Sequence, residues 1–319
     1  MKKTNLIFAI IFSISFSQDS QIINGFKYSK PSKTTFISSF HKDIYEYGKH
    51  SLKMEKLNEW LSIIGLTGLF IYYDEELIFE SQKLGHKLKI SNKDETTEFF
   101  SILGQPIRLP TDLGSSLYFI GDGILHLGIS GSFYTYGSFT NNYKAMQTGS
   151  QILQAMASAG LLTQIIKHIT GRVSPFRNYT YQEILDDGYT IYRPEDKWTP
   201  FPNQEEYHKH VSFYDAFPSG HMAVAMATVT VIAENYSDIW WIKPTGYSLM
   251  SLLGFQMMNN GVHWISDYPL SIAMGYYLGK IAVDNGRIPI KNNDNLSSIS
   301  IKPMFDSNFQ PTILFKYQF

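Results

Sequence analysis

Phe217-Pro218-Ser219-Gly220-His221, followed by the apolar run Met222 to Ala233, is the stretch from which the rest of the chain is read. Pro218 fixes its own φ and restricts the residue before it. Ser219 is a good N-cap for the segment that follows, and Gly220 lets the backbone approach a bound group closely. The amides of such a helix start, with the helix dipole, make a site for an anion. His221 places a titratable ring at its mouth. Pro-Ser-Gly at a helix start is common, and a single nearby His is usually structural, so the reading depends on two other stretches.

Upstream lies Lys167-His168-Ile169-Thr170-Gly171-Arg172-Val173-Ser174-Pro175-Phe176, and downstream lies Gly261-Val262-His263-Trp264-Ile265-Ser266-Asp267. In this order the three blocks resemble the signature of the type 2 phosphatidic acid phosphatase and vanadium haloperoxidase superfamily. That signature reads Lys, six residues, Arg-Pro; then Pro-Ser-Gly-His; then Ser-Arg, five residues, His, three residues, Asp. Lys167, Pro175, the whole second block, His263 and Asp267 match it. Ser174 stands where the family has the first Arg, and Gln256-Met257 stands where it has Ser-Arg. The resemblance covers roughly Leu117 to Val283.

The resemblance implies a mainly α fold, a helical bundle of the acid phosphatase and haloperoxidase type. It implies a phosphoric ester hydrolase in which His263 attacks phosphorus to form a phosphohistidine. Asp267 holds the other ring nitrogen of His263, and His221 protonates the leaving group and then activates water. Lys167 and the Ser219 and Gly220 amides hold the phosphoryl oxygens, with Arg172 or Arg177 replacing the missing clamps. No metal is required. The substrate is a phosphorylated lipid or a small phosphoester. Two other readings stay open: a degenerate relative that binds phosphate or lipid without turnover, and a haloperoxidase using bound vanadate as its cofactor. Haloperoxidases of this superfamily lean on the arginine clamps, which weighs against the last.

Composition narrows the field. The chain has 319 residues, 27 Lys plus Arg against 28 Asp plus Glu, so no basic footprint for nucleic acid is present. Cys is absent, which excludes disulfides, thiolate metal sites and a cysteine nucleophile. Lys2, Lys3 and the apolar run Leu6 to Phe16 read as a signal peptide over 1–17, placing the protein in the periplasm. Mean hydropathy is -0.15, low for a polytopic protein. A soluble or membrane-associated periplasmic domain is expected, since many relatives in the superfamily are membrane enzymes.

In chain order, 18–112 reads as an N-terminal arm and accessory helices. The arm is extended to Lys49, and helices follow over Leu52 to Tyr73, Leu77 to Leu88 and Asn92 to Gly104. The helical core spans 113–284. Within it, Asp122 and His126 are four apart on one helical face, read as a second-shell or metal pair or, preferably, as a buried helix–helix hydrogen bond. Ala145 to Ile169 has the strongest helical period, with Leu153, Met156, Gly160, Gln164 and Lys167 along one stripe and Gly171 as its stop. The segment 179–216, rich in Tyr, Phe and Pro, reads as a lid over the site. Alternation in Ser297 to Met304 and Thr312 to Phe319 predicts a short C-terminal β-hairpin within the 285–319 tail.

Overall fold

The computed structural model of the protein describes residues 20–32, 34–102, 104–175, 197–290, 298–305 and 311–318. The architecture is a mainly α-helical bundle with small β elements at its margins, as the sequence predicts. Strands β1 (Ser20–Ile23) and β2 (Phe26–Ser29) form a hairpin, and α1 runs over Thr35–Ser51. The expected extended arm is therefore wrong. The buried face of α1 carries Asp43 and Tyr47, one turn apart, so the aliphatic period that marks a helix is missing. Asp43 accepts from Gln154 Nε2 at 2.6 Å and Asn285 Nδ2 at 3.2 Å. Burial pushes its carboxyl up, and these hydrogen bonds oppose the shift.

Helix α2 is one continuous element, Leu57–Lys87, where two helices were expected. The run Asp74-Glu75-Glu76 reads as a break in the sequence. In the structure Asp74, Ile78, Gln82 and Gly85 form the buried stripe of the helix. Asn92 to Gly104 is likewise not a helix. It contributes β3 (Thr96–Ile102), which pairs antiparallel with β4 (Gln105–Pro110). Thr96, Thr97, Phe99 and Phe100 suit a pleated surface, and Gly104 turns the chain at φ +79°.

The core follows. Helix α3 (Leu113–Phe119) is capped by Asp112, α4 (Gly123–Thr140) by Asp122, and α5 (Tyr143–Thr170) by Asn142. Gly171 ends α5 in the left-handed region at φ +55°, and a Cβ there would meet the Thr199 carbonyl oxygen at 1.8 Å. After α6 (Gln204–Lys209), Ser219 caps α7 (Gly220–Asn235), and α8 (Ile242–Asn259) and α9 (Tyr268–Gly286) complete the bundle. Ile152, Ala159, Ala227, Val231, Met274 and Leu278 join α5, α7 and α9 in one apolar cluster. Small residues let α7 and α9 touch closely. A Cβ on Gly275 would lie 2.3 Å from the Ala223 carbonyl oxygen, and one on Gly279 2.8 Å from that of Ala227.

Strand β5 (Arg287–Pro289) pairs antiparallel with β2, giving a three-stranded sheet in the order β1-β2-β5. The C-terminal hairpin is present as β6 (Ser298–Phe305) and β7 (Pro311–Gln318), in register from Ser298 opposite Gln318 to Phe305 opposite Pro311.

The expected membrane association and periplasmic placement are corrected here. Among the described residues no helix is long and apolar enough to cross a membrane. The signal-like stretch 1–17, Arg177 and the first part of the lid segment lie outside the described residues.

Candidate active site

Three chain segments meet at the start of α7. The first block leaves α5 at Gly171 and runs between two strips of the following segment. Thr199 N–H donates to the Gly171 carbonyl, Val173 N–H to Lys197, Ser174 N–H to Ser212, and Ala216 N–H to Arg172. The described part of the lid segment, 197–216, is thus built into the wall that carries the first block. The third block lies in the turn between α8 and α9. His263 precedes a short 3-10 turn, Ile265–Asp267, which leads into α9. The i, i+4 pair therefore meets across a capping turn and not along a helical face.

His221 and His263 face each other, with ring centroids 5.8 Å apart and planes at 68°. His263 Nδ1 lies 3.3 Å from Asp267 Oδ2, and the same oxygen accepts from Trp264 N–H at 2.8 Å. The carboxylate thereby engages the Nδ1 side of the ring and leaves Nε2 as the nitrogen away from it. His263 is 2% exposed and Asp267 fully buried. The His221 ring packs at 4.8 Å from that of Tyr118. Gly121 allows this approach, since a Cβ there would meet His221 Cβ at 2.7 Å.

Lys167 reaches the same place from the end of α5. Its Nζ lies 4.0 Å from the position a Cβ would take on Gly220, beside the first amides of α7. Those amides have no acceptor within their own helix. The Lys167 amine is paired with Asp215 Oδ2 at 3.3 Å, and Asp215 stands two residues before Phe217. The sequence gives no signal for this pairing beyond an acidic residue near the motif.

Two expected phosphate contacts are differently employed. Ser219 N–H donates to the Asp267 carbonyl at 3.3 Å, and its hydroxyl accepts from Met222 N–H and donates to Met257 Sδ at 3.6 Å. Gly220 therefore remains as the better-placed amide. Arg172 does not point into the histidine site as a clamp. Its Nη1 donates to Asp267 Oδ1 at 2.5 Å and to Ser266 Oγ at 2.7 Å, and its Nη2 donates to Asp74 Oδ2 at 2.6 Å. The guanidinium is 2% exposed and stacked between Trp198 and Trp264, 4.6 and 5.5 Å from their ring centres. Two buried carboxylates and two indole faces account for its charge.

Asp74, from α2, is the site residue that sequence reasoning missed. It accepts from Ser266 N–H at 3.1 Å and Ser266 Oγ at 2.6 Å, besides Arg172. Burial pushes its carboxyl up, while Arg172 and Ser266 pull it down. The stripe of Asp74 with Ile78, Gln82 and Gly85 marks it as inward-facing, a signal hidden when α2 is read as two helices.

The positions of the two family arginines are closed. Ser174 is buried in the first block, and Met257 is completely buried in the apolar cluster with Leu253, Met222 and Tyr268. Asp122 and His126 form neither a metal pair nor a hydrogen bond between helices. Asp122 accepts from Ile124 N–H at 2.7 Å as a helix cap. His126 is buried, with the Ile120 backbone as the polar group acting on its ring. Among the described residues, no group of three or more His, Cys, Asp or Glu is placed to hold a metal ion.

Residues 149–285 match the family model of the PAP2 superfamily. That span takes in Lys167, His221, His263 and Asp267 and leaves out Asp74. Among solved structures, the chain is similar to the crystal structure of Aquifex aeolicus LpxE. Identity is 16%, 53% of this chain and 82% of that one are covered, and the TM-score is 0.36. No curated protein matches the chain.

Proposed function

We propose that the protein is a phosphoric ester hydrolase acting on a lipid or small-molecule phosphoester through a phosphohistidine. The observation that carries this reading is the facing pair His221 and His263, with Asp267 on Nδ1 of the latter. His263 Nε2 attacks phosphorus as the ester oxygen departs, and His221 gives that oxygen its proton. Water then attacks the phosphohistidine, His221 takes a proton from it, and phosphate leaves with His263 regenerated. Charge on the equatorial oxygens is met by Lys167 and by the first amides of α7, those of Gly220 and His221. Arg172 acts at one remove. It holds Asp267 and is itself held by Asp74, so it positions His263 and does not touch phosphate.

A second reading is favoured by the charge around Lys167. Its amine is already paired with Asp215, and a methionine fills the place of a family arginine. A relative that binds its ligand without hydrolysing it has less need of a strong oxyanion field. Hydrolysis of p-nitrophenyl phosphate, with capture on the protein of labelled phosphate that is acid-labile and base-stable, decides between the two. Turnover with base-stable label that disappears in His263→Ala supports the enzyme. Retention of phosphate affinity with neither turnover nor label establishes the binding relative.

A further inference from the structure

Tyr118 stands in the last turn of α3 and is 8% exposed. Its ring lies 4.8 Å from that of His221, with the planes at 46°. His221 also meets the His263 ring, at 5.8 Å. The imidazole of His221 thus has two ring neighbours, the proposed nucleophile and a tyrosine that the mechanism does not use.

Tyr118 is not free to yield. Helix α3 is pinned at its start, where Asp112 and Ser115 cap each other. There Gly114 runs so close to Ser91 that a Cβ would meet the Ser91 carbonyl oxygen at 2.2 Å. The Tyr118 ring packs in one cluster with Met222, Leu253 and Met257. Three residues on, Gly121 N–H donates to the Tyr118 carbonyl at 3.0 Å, and a Cβ on Gly121 would meet His221 Cβ at 2.7 Å. The turn between α3 and α4 therefore bears on His221 twice, at its ring and at its Cβ. Both residues lie outside 149–285, the span that matches the family model.

A general acid contributes about 10²–10⁴-fold, and only when its proton is aimed at the departing oxygen. A misplacement of about 1 Å costs on the order of 10²-fold. His221 is partly exposed, so its ring has room to turn on the open side. We propose that Tyr118 is a positioning residue for His221: its ring holds the imidazole aimed at the ester oxygen, and the bare Gly121 leaves space for that placement. This rests on the hydrolase reading, in which His221 passes its proton to the leaving oxygen.

Leaving groups separate this role from a general loss of structure. p-Nitrophenolate departs as a stable anion, whereas phenolate is a much stronger base and departs well only with a proton. In Tyr118→Leu, kcat for phenyl phosphate falls about 10–100-fold further than kcat for p-nitrophenyl phosphate, and KM changes little for either. Tyr118→Phe, which keeps the ring, restores the wild-type ratio of the two. Gly121→Ala, whose methyl group presses on His221, lowers the ratio as Tyr118→Leu does. In wild type, nuclear Overhauser effects join the ring protons of Tyr118 and His221. Equal losses on the two esters in Tyr118→Leu, or a wild type without that Overhauser contact, overturn the proposal and leave the hydrolase reading standing. A wild type that hydrolyses neither ester overturns the reading and the proposal with it. Should Tyr118→Leu fail to fold, Gly121→Ala and the Overhauser contact decide.

Discussion

Arg172 and Asp267 are joined by a 2.5 Å hydrogen bond on the side of the carboxylate opposite His263. Asp267 thus has two tasks, one oxygen for each partner. Arg172 in turn reaches Asp74, so a residue of α2 is linked to the proposed nucleophile through two buried ion pairs. Each pair is close, buried and hydrogen-bonded on both sides, the condition under which loss of one member is most costly.

Asp267→Asn keeps the shape and removes the charge that fixes the His263 tautomer. Turnover of p-nitrophenyl phosphate is expected to fall by about 10³–10⁴, as for a histidine left in the wrong tautomer. KM is expected to change little, because Asp267 does not touch substrate. Unaltered turnover would remove His263 from the proposed mechanism.

Arg172→Ala is expected to destabilise the fold by roughly 3–5 kcal/mol, because it leaves the Asp74 and Asp267 carboxylates buried without a counter-ion. Arg172→Met combined with Asp74→Leu is expected to cost less than the sum of its single changes. Urea denaturation measures both. A clamp that merely bound phosphate would give lost activity in Arg172→Ala with stability intact.

Asp215→Asn releases the Lys167 amine. Affinity for inorganic phosphate, followed by competitive inhibition or calorimetry, is expected to rise roughly two- to fivefold, the scale of a partly exposed pair. A decrease would show that Asp215 holds Lys167 in its working position.

Met257→Arg, which brings in the arginine of the signature that the chain resembles, is expected to unfold the protein and not to activate it. The side chain it replaces is fully buried against Leu253 and Met222, where an unpaired guanidinium has no acceptor. A folded and more active variant would mean that the cluster opens readily at this point.

His126 titrates below its ordinary value because it is buried. A group protonated less readily in the folded state stabilises the fold fully above its unfolded pKa, near 6.5, and loses that contribution as pH falls towards about 4. His126→Leu should therefore flatten the fall in stability between these two values, by about 3 kcal/mol at most. Thermal denaturation across this window in both proteins provides the measurement.

The helical core and the contact between His263 and Asp267 were legible because their constraints are local. Ser219 caps the helix that starts at the next residue and accepts from the amide three residues ahead, Gly171 ends a helix by donating to the carbonyl four residues behind, and His263 and Asp267 are four apart. The employment of Arg172 was not legible. Its partners lie 98 residues upstream and 94 to 95 downstream, and nothing in its own segment distinguishes a phosphate clamp from a buried counter-ion. The accessory region misled for a related reason. In α1 and α2 the buried positions are taken by Asp43 and Asp74, so the inward face does not read as apolar. Met257 was visible as a departure from the family pattern, but only its packing shows that the position has become core.

Asp74 also sets an order of events during synthesis. Its partner Arg172 emerges 98 residues later, and Ser266 only 192 residues later. Until then α2 carries a carboxylate that cannot be buried without loss, so this face of the helix stays hydrated while the middle of the chain is made. Contacts of such long sequence separation form late and slowly. A ribosome stalled before the third block should hold a nascent chain whose α2 is open to protease. Release of a few dozen further residues should close it.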